Sequence, residues 1–337
     1  MSGALPVAVT MGDPAGIGGE IALMAWRDHR EDLPPFFVLD DPDRLRRLAA
    51  RTGLSCPLEP IGGAADAARV AADALPVLPL SGPVSALPGD DSTADGAMVI
   101  ESIDRAIDEA AAGRVAGLTT NPIQKSRLYA AGFTAPGHTE YLGERAGLSA
   151  PPIMLLAGPH LKVVPVTIHL SLKDAIAALT EDEIARTLEV TRTAMKTDFG
   201  IAEPRIAVSG LNPHAGEAGH MGREEIEIIA PAIERLRAAG ANVAGPLAGD
   251  TMFHEAARRT YDIAVCMYHD QALIPMKTLD FDNGVNVSVG LPFVRTSPDH
   301  GTAYNIAGTA TANPASLVSA IRMAGEIAAC RARVRGG

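Results

Sequence analysis

The chain has 337 residues, of which 47% are hydrophobic and 20% are charged, and its formal net charge is −11. A chain of this length can bury a large core, and we expect two domains or two lobes. The acidic balance argues against a general nucleic-acid or anionic-membrane partner, because either would require a basic surface. An anionic small molecule is still compatible with it, provided that a few cationic side chains converge at one site.

The cysteines and the first residues bear on the cellular compartment. Cys56, Cys266 and Cys330 are far apart and form no CxxC pair, so we expect reduced thiols. The opening residues, MSGALPVAVT, lack a basic segment followed by a long apolar core. No apolar run approaches the roughly 18 residues of a membrane span. We therefore expect a cytoplasmic protein without a membrane segment.

The first elements predict a strand, a glycine-rich loop and a helix. Residues 5–10 form an apolar run, residues 12–18 carry the glycines, and the helix begins near Glu20. The glycine spacing differs from G-x-G-x-x-G, so a Rossmann cofactor site is not supported, and a purely structural turn is an equal alternative. A second strand at 36–39 and a helix at 42–50 follow.

The alternation of strands and helices continues through the rest of the chain. A helix is predicted at 95–112, followed by a strand at 115–119 that delivers Thr120, Asn121 and Lys125 to another strand-to-helix junction. This alternation favours a doubly wound sheet with mostly parallel strands. The later strands are predicted at 153–157, 163–168, 205–209 and 263–265, and the later helices at 172–179, 182–196, 223–238 and 314–329, before a frayed tail at 331–337.

Three histidines each follow an apolar, β-branched run. His169, His214 and His269 would meet at one edge of a parallel sheet, because the carboxyl ends of its strands lie together. Three neutral imidazoles with an open fourth position suit a catalytic divalent metal such as zinc, and cobalt or nickel are compatible. Spacings of 45 and 55 residues form no metal motif by themselves. The alternative is that each histidine makes a separate structural hydrogen bond.

Three polar residues that could bind an anion follow His269 on separate segments. Lys277, Asn286 and Arg295 offer an ammonium group, an amide and a guanidinium fork. Together they can hold a small phosphorylated or carboxylated anion. Taken singly, each would more often be an exposed loop residue.

Several of these segments resemble one enzyme family. The chain resembles the 4-hydroxythreonine-4-phosphate dehydrogenases of vitamin B6 (pyridoxal 5′-phosphate) biosynthesis, and the resemblance covers nearly its whole length. The segments that carry it are MGDPAGIGGE, TTNPIQK, PGHTEYL, TIHLSL, SGLNPHAGEAGHMGREE, GPLAGDTMF, YHDQALIPMK and GVNVSVGLPFVRTSPDHGTA.

The resemblance implies a fold and an assembly. GDPAGIG, DHGTAYNIAG and the later ANP also look like signatures of the isocitrate and isopropylmalate dehydrogenases. These imply a two-lobed α/β/α sandwich with mostly parallel sheets and the active site in the interlobe cleft. We expect residues 1–134 and 299–337 on the cofactor side, and residues 135–298 to bind metal and substrate. A homodimer that shares its active sites is also implied, with the dimer interface in the second lobe.

The resemblance implies a metal-dependent NAD(P)-linked oxidoreductase acting on a CH–OH group. The secondary alcohol of 4-phosphooxy-L-threonine gives a hydride to NAD, and the keto acid loses carbon dioxide to form 3-amino-2-oxopropyl phosphate. A metal on the alcohol oxygen, most simply zinc, with magnesium or cobalt as alternatives, would assist both steps. By resemblance the metal ligands are His169, His214 and His269, and the substrate contacts are His138, Thr139, Asp250, Lys277, Asn286 and Arg295.

The resemblance also implies which residues transfer protons and which bind the cofactor. Lys277 is expected to bind substrate first and to transfer a proton second, together with Asp250. The loop at His300, Gly301 and Thr302 is expected to hold the adenosine. Asn305 stands where NAD-dependent relatives often have an acidic residue, so we expect NAD with some use of NADP. Gly19 stands where the family usually has proline.

Two other functions compete with this one. A paralogous dehydrogenase acting on erythronate 4-phosphate or on a cis-dihydrodiol carboxylate would keep the same fold and metal. A metallohydrolase or lyase would use the three histidines without a nicotinamide, but the loop at His300 argues against it. A purely binding protein is the least favoured, because it would not need three strand-end histidines beside a cationic cluster.

Overall fold

The computed structural model describes residues 5–90, 94–135 and 137–336, so Pro136 of the PGHTEYL segment lies outside the described residues. The chain divides into two compact units. The first comprises Met1–Pro152 and Leu291–Ala329, and the second comprises Ile153–Gly290 and Cys330–Gly337.

The described part of the chain contains twelve strands and twelve α-helices, which alternate over much of its length. The strands are β1 (Val7–Thr10), β2 (Phe36–Asp40), β3 (Leu58–Pro60), β4 (Leu75–Pro79), β5 (Gly117–Thr119), β6 (Ile153–Ala157), β7 (Lys162–Pro165), β8 (Arg205–Ser209), β9 (Asn242–Leu247), β10 (Ile263–Cys266), β11 (Val285–Val289) and β12 (Arg295–Pro298). The helices are α1 (Gly18–His29), α2 (Pro42–Thr52), α3 (Ala64–Val70), α4 (Gly96–Ala111), α5 (Lys125–Tyr129), α6 (His138–Arg145), α7 (Leu172–Ala178), α8 (Glu181–Thr197), α9 (Ala230–Ala238), α10 (Glu255–Arg258), α11 (His269–Leu279) and α12 (Ala315–Gly336).

The first unit contains strands in the order β3-β4-β2-β1-β5-β12, and all of these pairs are parallel. Phe37 and Leu39 of β2 point to the same face, because side chains two residues apart in a strand do so. They share a buried cluster with Ile103 and Ile107 of α4, which lie on one stripe of that helix. The helix that the isoleucine spacing predicted is therefore confirmed.

The second unit has the order β11-β6-β7-β10-β8-β9. Strands β7, β10, β8 and β9 are parallel to one another, whereas β6 is antiparallel to both β7 and β11. All four residues of β10 are buried, as expected of an inner parallel strand. The predicted α/β class with mostly parallel strands is confirmed.

The unit boundaries differ from the predicted lobes. Residues 135–152 and 291–298 belong to the first unit, although the sequence assigned them to the second lobe. The reason is packing, since Leu142 of α6, Leu291 and Phe293 join the same buried cluster as Phe37. A turn glycine or proline marks a loop but does not show which core the next segment enters.

The C-terminal tail is helical, so the predicted fraying was wrong over its described part. Helix α12 continues to Gly336, and Gly337 lies outside the described residues. The guanidinium group of Arg331 donates to both oxygens of the buried Asp198 carboxylate, at 2.7 and 2.9 Å. A buried carboxylate needs such a partner, and this pair therefore keeps the last turns in place.

The predicted helix at 223–238 is interrupted. Its first part, Glu225–Ile229, is a π-helix, and α9 follows it.

No helix in the part of the chain that the structure describes is both long and apolar enough to cross a membrane.

Candidate active site and cofactor loop

In the second unit, the chain segments that follow β7 and β10 stay hydrogen-bonded to each other after the two strands end. The backbone N–H of Val166 donates to the Cys266 oxygen at 2.8 Å, and the Thr167 hydroxyl donates to the Met267 oxygen at 2.8 Å. The parallel pairing therefore delivers His169 and His269 together, with ring centroids 5.9 Å apart. Asp270 contacts Nδ1 of His269 at 2.7 Å and orients that ring.

His214 follows β8, the other neighbour of β10. It begins a left-handed run in which residues 214–218 have φ values of 52, 50, 79, 43 and 55°. Only one of these five residues, Gly216, is a glycine, and the left-handed conformation costs about 1–2 kcal/mol for each other residue. Such a run persists only when its surroundings fix it, and strain of this kind gathers at functional sites.

Gln271 connects the segments that carry His269 and His214. Its Oε1 accepts the backbone N–H of Met267 at 2.8 Å, and its Nε2 donates to the Gly210 oxygen at 2.8 Å. Gln271 was not among the predicted site residues. The available signal was a glutamine two positions after a strand-end histidine, on the first turn of α11.

A divalent metal fits this region only in part. His169 and His269 supply two adjacent imidazoles, which are the donors that zinc and similar metals prefer. His214 is exposed in its left-handed turn. Among residues 5–90, 94–135 and 137–336, no three His, Cys, Asp or Glu side chains come close enough together to hold a metal ion. The structure thus brings together two of the three predicted ligands, and the third stands apart.

A cavity of about 680 Å³ lies beside His214 in the second unit. Its polar part includes His214, Asp250, Asp270 and Gln271, so the predicted Asp250 faces the same space as His214. Its volume falls in the range of small-molecule sites. The apolar part is formed by Leu211, Phe253, Ile274, Pro275 and Leu279.

Lys277 and Asn286 also lie in the second unit, on α11 and β11. The Lys277 ammonium group is 5.3 Å from the centre of the Phe281 ring, a cation–π distance. The amide oxygen of Asn286 is buried and accepts no hydrogen bond from any described residue. A buried acceptor without a donor is costly, so this oxygen is a candidate ligand contact.

In the first unit, Arg295 begins β12 and donates to the Thr120 hydroxyl at 2.6 Å, at the end of β5. Burial lowers the pKa of Arg295 to about 10, and the Glu140 charge opposes that shift, so the guanidinium is still charged at neutral pH. Charged, buried guanidinium groups are strong partners for phosphate and carboxylate.

His138 begins α6, and Thr139 lies in the first turn after the cap residue Gly137. Burial holds the pKa of His138 well below its ordinary value, and the charges of Arg295 and Lys125 act in the same direction. The ring is therefore neutral at pH 7, and its buried Nε2 has no hydrogen-bond partner among the described residues. Lys125 was not among the predicted site residues, because nothing in the sequence indicates its proximity to His138.

The loop predicted to hold adenosine is anchored on the early glycine-rich loop of the same unit. The Thr302 oxygen accepts the backbone N–H of Ile17 at 3.0 Å, and a Cβ on Gly16 would lie 2.8 Å from that oxygen. Only glycine allows this approach, so Gly16 has a structural role in the early loop. The Tyr304 hydroxyl donates to Asp13 at 2.7 Å.

Further contacts complete the anchoring of this loop. The backbone N–H of Gly308 donates to the buried Glu20 carboxylate at 2.6 Å. His300 contacts the Gly301 oxygen through Nδ1 at 2.9 Å. Gly301 and Asn305 are both exposed, and a Cβ on Gly301 would meet no atom within 4 Å. The loop is thus fixed at its base, with its outer face open to a ligand.

Gly19 makes room for an arginine. A Cβ there would lie 3.0 Å from Nη1 of Arg44, which donates to Asp40 at 2.6 Å, while Nη2 donates to the Pro14 oxygen at 2.6 Å. Asn121, at the neighbouring strand end, donates from its Nδ2 to the Thr10 oxygen at 3.0 Å. Arg44 and Asn121 thus both hold backbone oxygens in or next to the glycine-rich loop.

Comparison with known proteins places this geometry in a family. The family model described as pyridoxal phosphate biosynthetic protein PdxA matches residues 32–324. The chain belongs to the PdxA family. The 4-hydroxythreonine-4-phosphate dehydrogenase of Bradyrhizobium diazoefficiens is 50% identical over 340 residues, covering 97% of this chain and 98% of that enzyme.

Solved structures agree with membership of the PdxA family. The 4-hydroxythreonine-4-phosphate dehydrogenase of Klebsiella pneumoniae is 38% identical, with a TM-score of 0.86 and coverage of 97% of this chain and 99% of that one. A terephthalate 1,2-cis-dihydrodiol dehydrogenase from Burkholderia xenovorans is 30% identical, with a TM-score of 0.65 and coverage of 96% and 98%.

The depressed pKa of His138 predicts a pH dependence of stability. As the pH falls below 6.5, the unfolded chain takes up a proton at His138 that the folded chain does not, so the free energy of unfolding decreases. His138→Asn should remove up to about 1.4 kcal/mol of this decrease per pH unit. Urea midpoints measured from neutral to mildly acidic pH test this, and parallel profiles for the two proteins would contradict it.

Proposed function

We propose that the protein is a 4-hydroxythreonine-4-phosphate dehydrogenase, which oxidises 4-phosphooxy-L-threonine with NAD and forms 3-amino-2-oxopropyl phosphate and carbon dioxide. The observation that carries the proposal is the position of Arg295. This buried, charged guanidinium begins the strand that leads directly to the anchored loop at His300. An anion bound at Arg295 would therefore lie on the strand that leads into the proposed dinucleotide loop.

The chain's own residues have distinct roles in this proposal. Arg295 binds a substrate phosphate or carboxylate, and neutral His138 offers Nε2 for a hydrogen bond, with Thr139 beside it. Lys277 and the unsatisfied oxygen of Asn286 bind further polar groups of the substrate. Asp250 and Lys277 move protons during oxidation and after loss of carbon dioxide.

Arg295→Ala tests this assignment. The substrate KM should rise about 10- to 100-fold, because a charge-assisted hydrogen bond contributes about 1.5–3 kcal/mol. The NAD KM should change far less. Steady-state assays of NADH formation with each substrate varied give both constants, and equal increases would mean that the anion lies elsewhere.

We propose that His169, His214 and His269 bind a divalent metal, for which zinc is the best chemical match. The adjacent rings of His169 and His269 support this, as does the tie from Gln271 to the segment before His214. When bound, the metal would lower the pKa of the substrate alcohol and stabilise the enolate left by decarboxylation.

His214→Ala should abolish both stoichiometric metal content and turnover. Metal content is measured by elemental analysis after dialysis against trace zinc, with the exposed His254→Ala as a control outside the proposed set. Chelation of the wild-type enzyme should remove activity, and added divalent metal should restore it. Full activity in a metal-free preparation would rule out the metal site.

For the cofactor we propose that NAD is preferred and that NADP is also used. Asn305 carries no charge to repel a 2′-phosphate, and no lysine or arginine occurs between His300 and Pro314. A positive charge that can attract the 2′-phosphate of NADP comes from outside this segment. The Arg51 side chain lies close to Gly308, since a Cβ built on Gly308 would be 3.1 Å from Nε of Arg51.

Asn305→Asp should increase the preference for NAD about 5- to 30-fold in the ratio of kcat/KM values. Arg51→Gln should act in the same direction by lowering kcat/KM for NADP. Measuring this ratio in the wild type and both variants separates the two effects. An unchanged ratio in Asn305→Asp would mean that residue 305 does not face the ribose.

We also propose a homodimer, as the resemblance implied. Exposed large apolar side chains follow each of the three histidines in the chain, which supports an interface near them: Leu170, Leu172 and Ile176, then Met221 and Ile226, then Ile274 and Phe281. Mixing inactive His169→Ala and His269→Ala proteins should restore some activity if the sites are shared. A fully active monomer in sedimentation would contradict the proposal.

A further inference from the structure

The buried carboxylate of Glu225 lies at the base of the loop that carries His214. Glu225 is 3% exposed, and its Oε1 accepts the backbone N–H groups of Leu211 at 2.8 Å and Asn212 at 2.7 Å. Its Oε2 accepts Nδ2 of Asn212 at 3.0 Å. The carboxylate therefore fixes the chain immediately before His214.

The same carboxylate also contacts the chain after His214. A Cβ on Gly216 would lie 2.6 Å from Oε2 of Glu225, and a Cβ on Gly210 would lie 3.1 Å from Oε1. A side chain at position 216 would collide with the carboxylate, and one at position 210 would be tightly packed against it. The loop from Gly210 to Gly216 thus wraps around one carboxylate.

The backbone between these contacts is the left-handed run. His214, Ala215, Glu217 and Ala218 all have positive φ values, which L-residues rarely adopt. A run of this kind needs contacts that exclude the relaxed alternatives. Glu225 supplies such contacts on both sides of His214. It is also the first residue of the π-helix, a conformation that recurs near functional sites.

We propose that Glu225 is a positioning residue, which holds the backbone of residues 211–216 so that the His214 imidazole is presented in a fixed direction. Glu225 acts through His214 and touches neither metal nor substrate. The proposal rests on the metal-binding role proposed for His214. It assigns a function to Glu225, the second glutamate of the GREE segment. The neighbouring Glu224 accepts the Asn212 side chain at 2.7 Å.

Glu225→Gln is the direct test, with Glu227→Gln as the matched control. Glutamine keeps one acceptor oxygen but replaces the other with an NH₂ group, so it cannot accept all of the hydrogen bonds that Leu211 and Asn212 donate to the carboxylate. The control removes an exposed carboxylate that pairs with Arg223 at 2.5 Å. Co²⁺ titration followed by visible absorption should show about 10- to 100-fold weaker binding for Glu225→Gln and no change for the control.

Hydrogen exchange provides a readout that does not depend on the metal. Without metal, the amides of Leu211 and Asn212 should exchange faster in Glu225→Gln than in the wild type or the control. If Glu225→Gln does not fold, Asn212→Ala removes one of the same hydrogen bonds and should show a smaller change in the same direction.

The outcomes separate the two proposals. Wild-type protein that binds no Co²⁺ overturns the metal site, while the exchange comparison still decides whether Glu225 holds the loop. Wild-type binding and unchanged exchange in both Glu225→Gln and Asn212→Ala overturn the role of Glu225. Faster exchange with unchanged Co²⁺ affinity overturns the claim that the loop directs His214.

Discussion

The parallel pairing of β10 with β7 and β8 is the constraint on which the candidate site depends. Parallel strands end at the same edge, so residues that are 100 positions apart in sequence, such as Thr167 and Met267, meet there by hydrogen bonding. His169 and His269 are adjacent because the pairing continues past the strands. The Gln271 side chain then links this edge to the segment that carries His214, through its hydrogen bond to the Gly210 oxygen. The polar residues are thus positioned by backbone hydrogen bonds before any ligand binds.

The first unit uses close backbone approach for the same purpose. Glycine at position 16 lets the early loop touch the Thr302 oxygen, and Asp13 and Glu20 then fix the remainder of the later loop. Arg295 precedes that loop on a buried strand. Hydrogen bonds hold the base of the loop and its outer face is exposed, as the proposed dinucleotide site requires in the absence of the Rossmann glycine fingerprint.

Much of the architecture could be predicted from the sequence, because hydrophobic periodicity reports directly on strands and helices. The α4 stripe and the buried β10 run are examples, and the predicted family was confirmed. What could not be predicted depends on contacts between distant residues or on unusual backbone. Nothing in a one-dimensional pattern places Lys125 beside His138, and no propensity gives His214 a positive φ. The π-helix that begins at Glu225 belongs to the same class, since the Glu225 side chain accepts hydrogen bonds from the distant residues Leu211 and Asn212.

The measurement that tests the account most directly is NADH formation with a panel of substrates, combined with detection of released carbon dioxide. We expect 4-phosphooxy-L-threonine to give the highest kcat/KM, with one carbon dioxide released per NADH. Erythronate 4-phosphate and a cis-dihydrodiol carboxylate should react far more slowly. A higher kcat/KM for either of these, or turnover of the phosphorylated substrate without NADH, would contradict the proposed function.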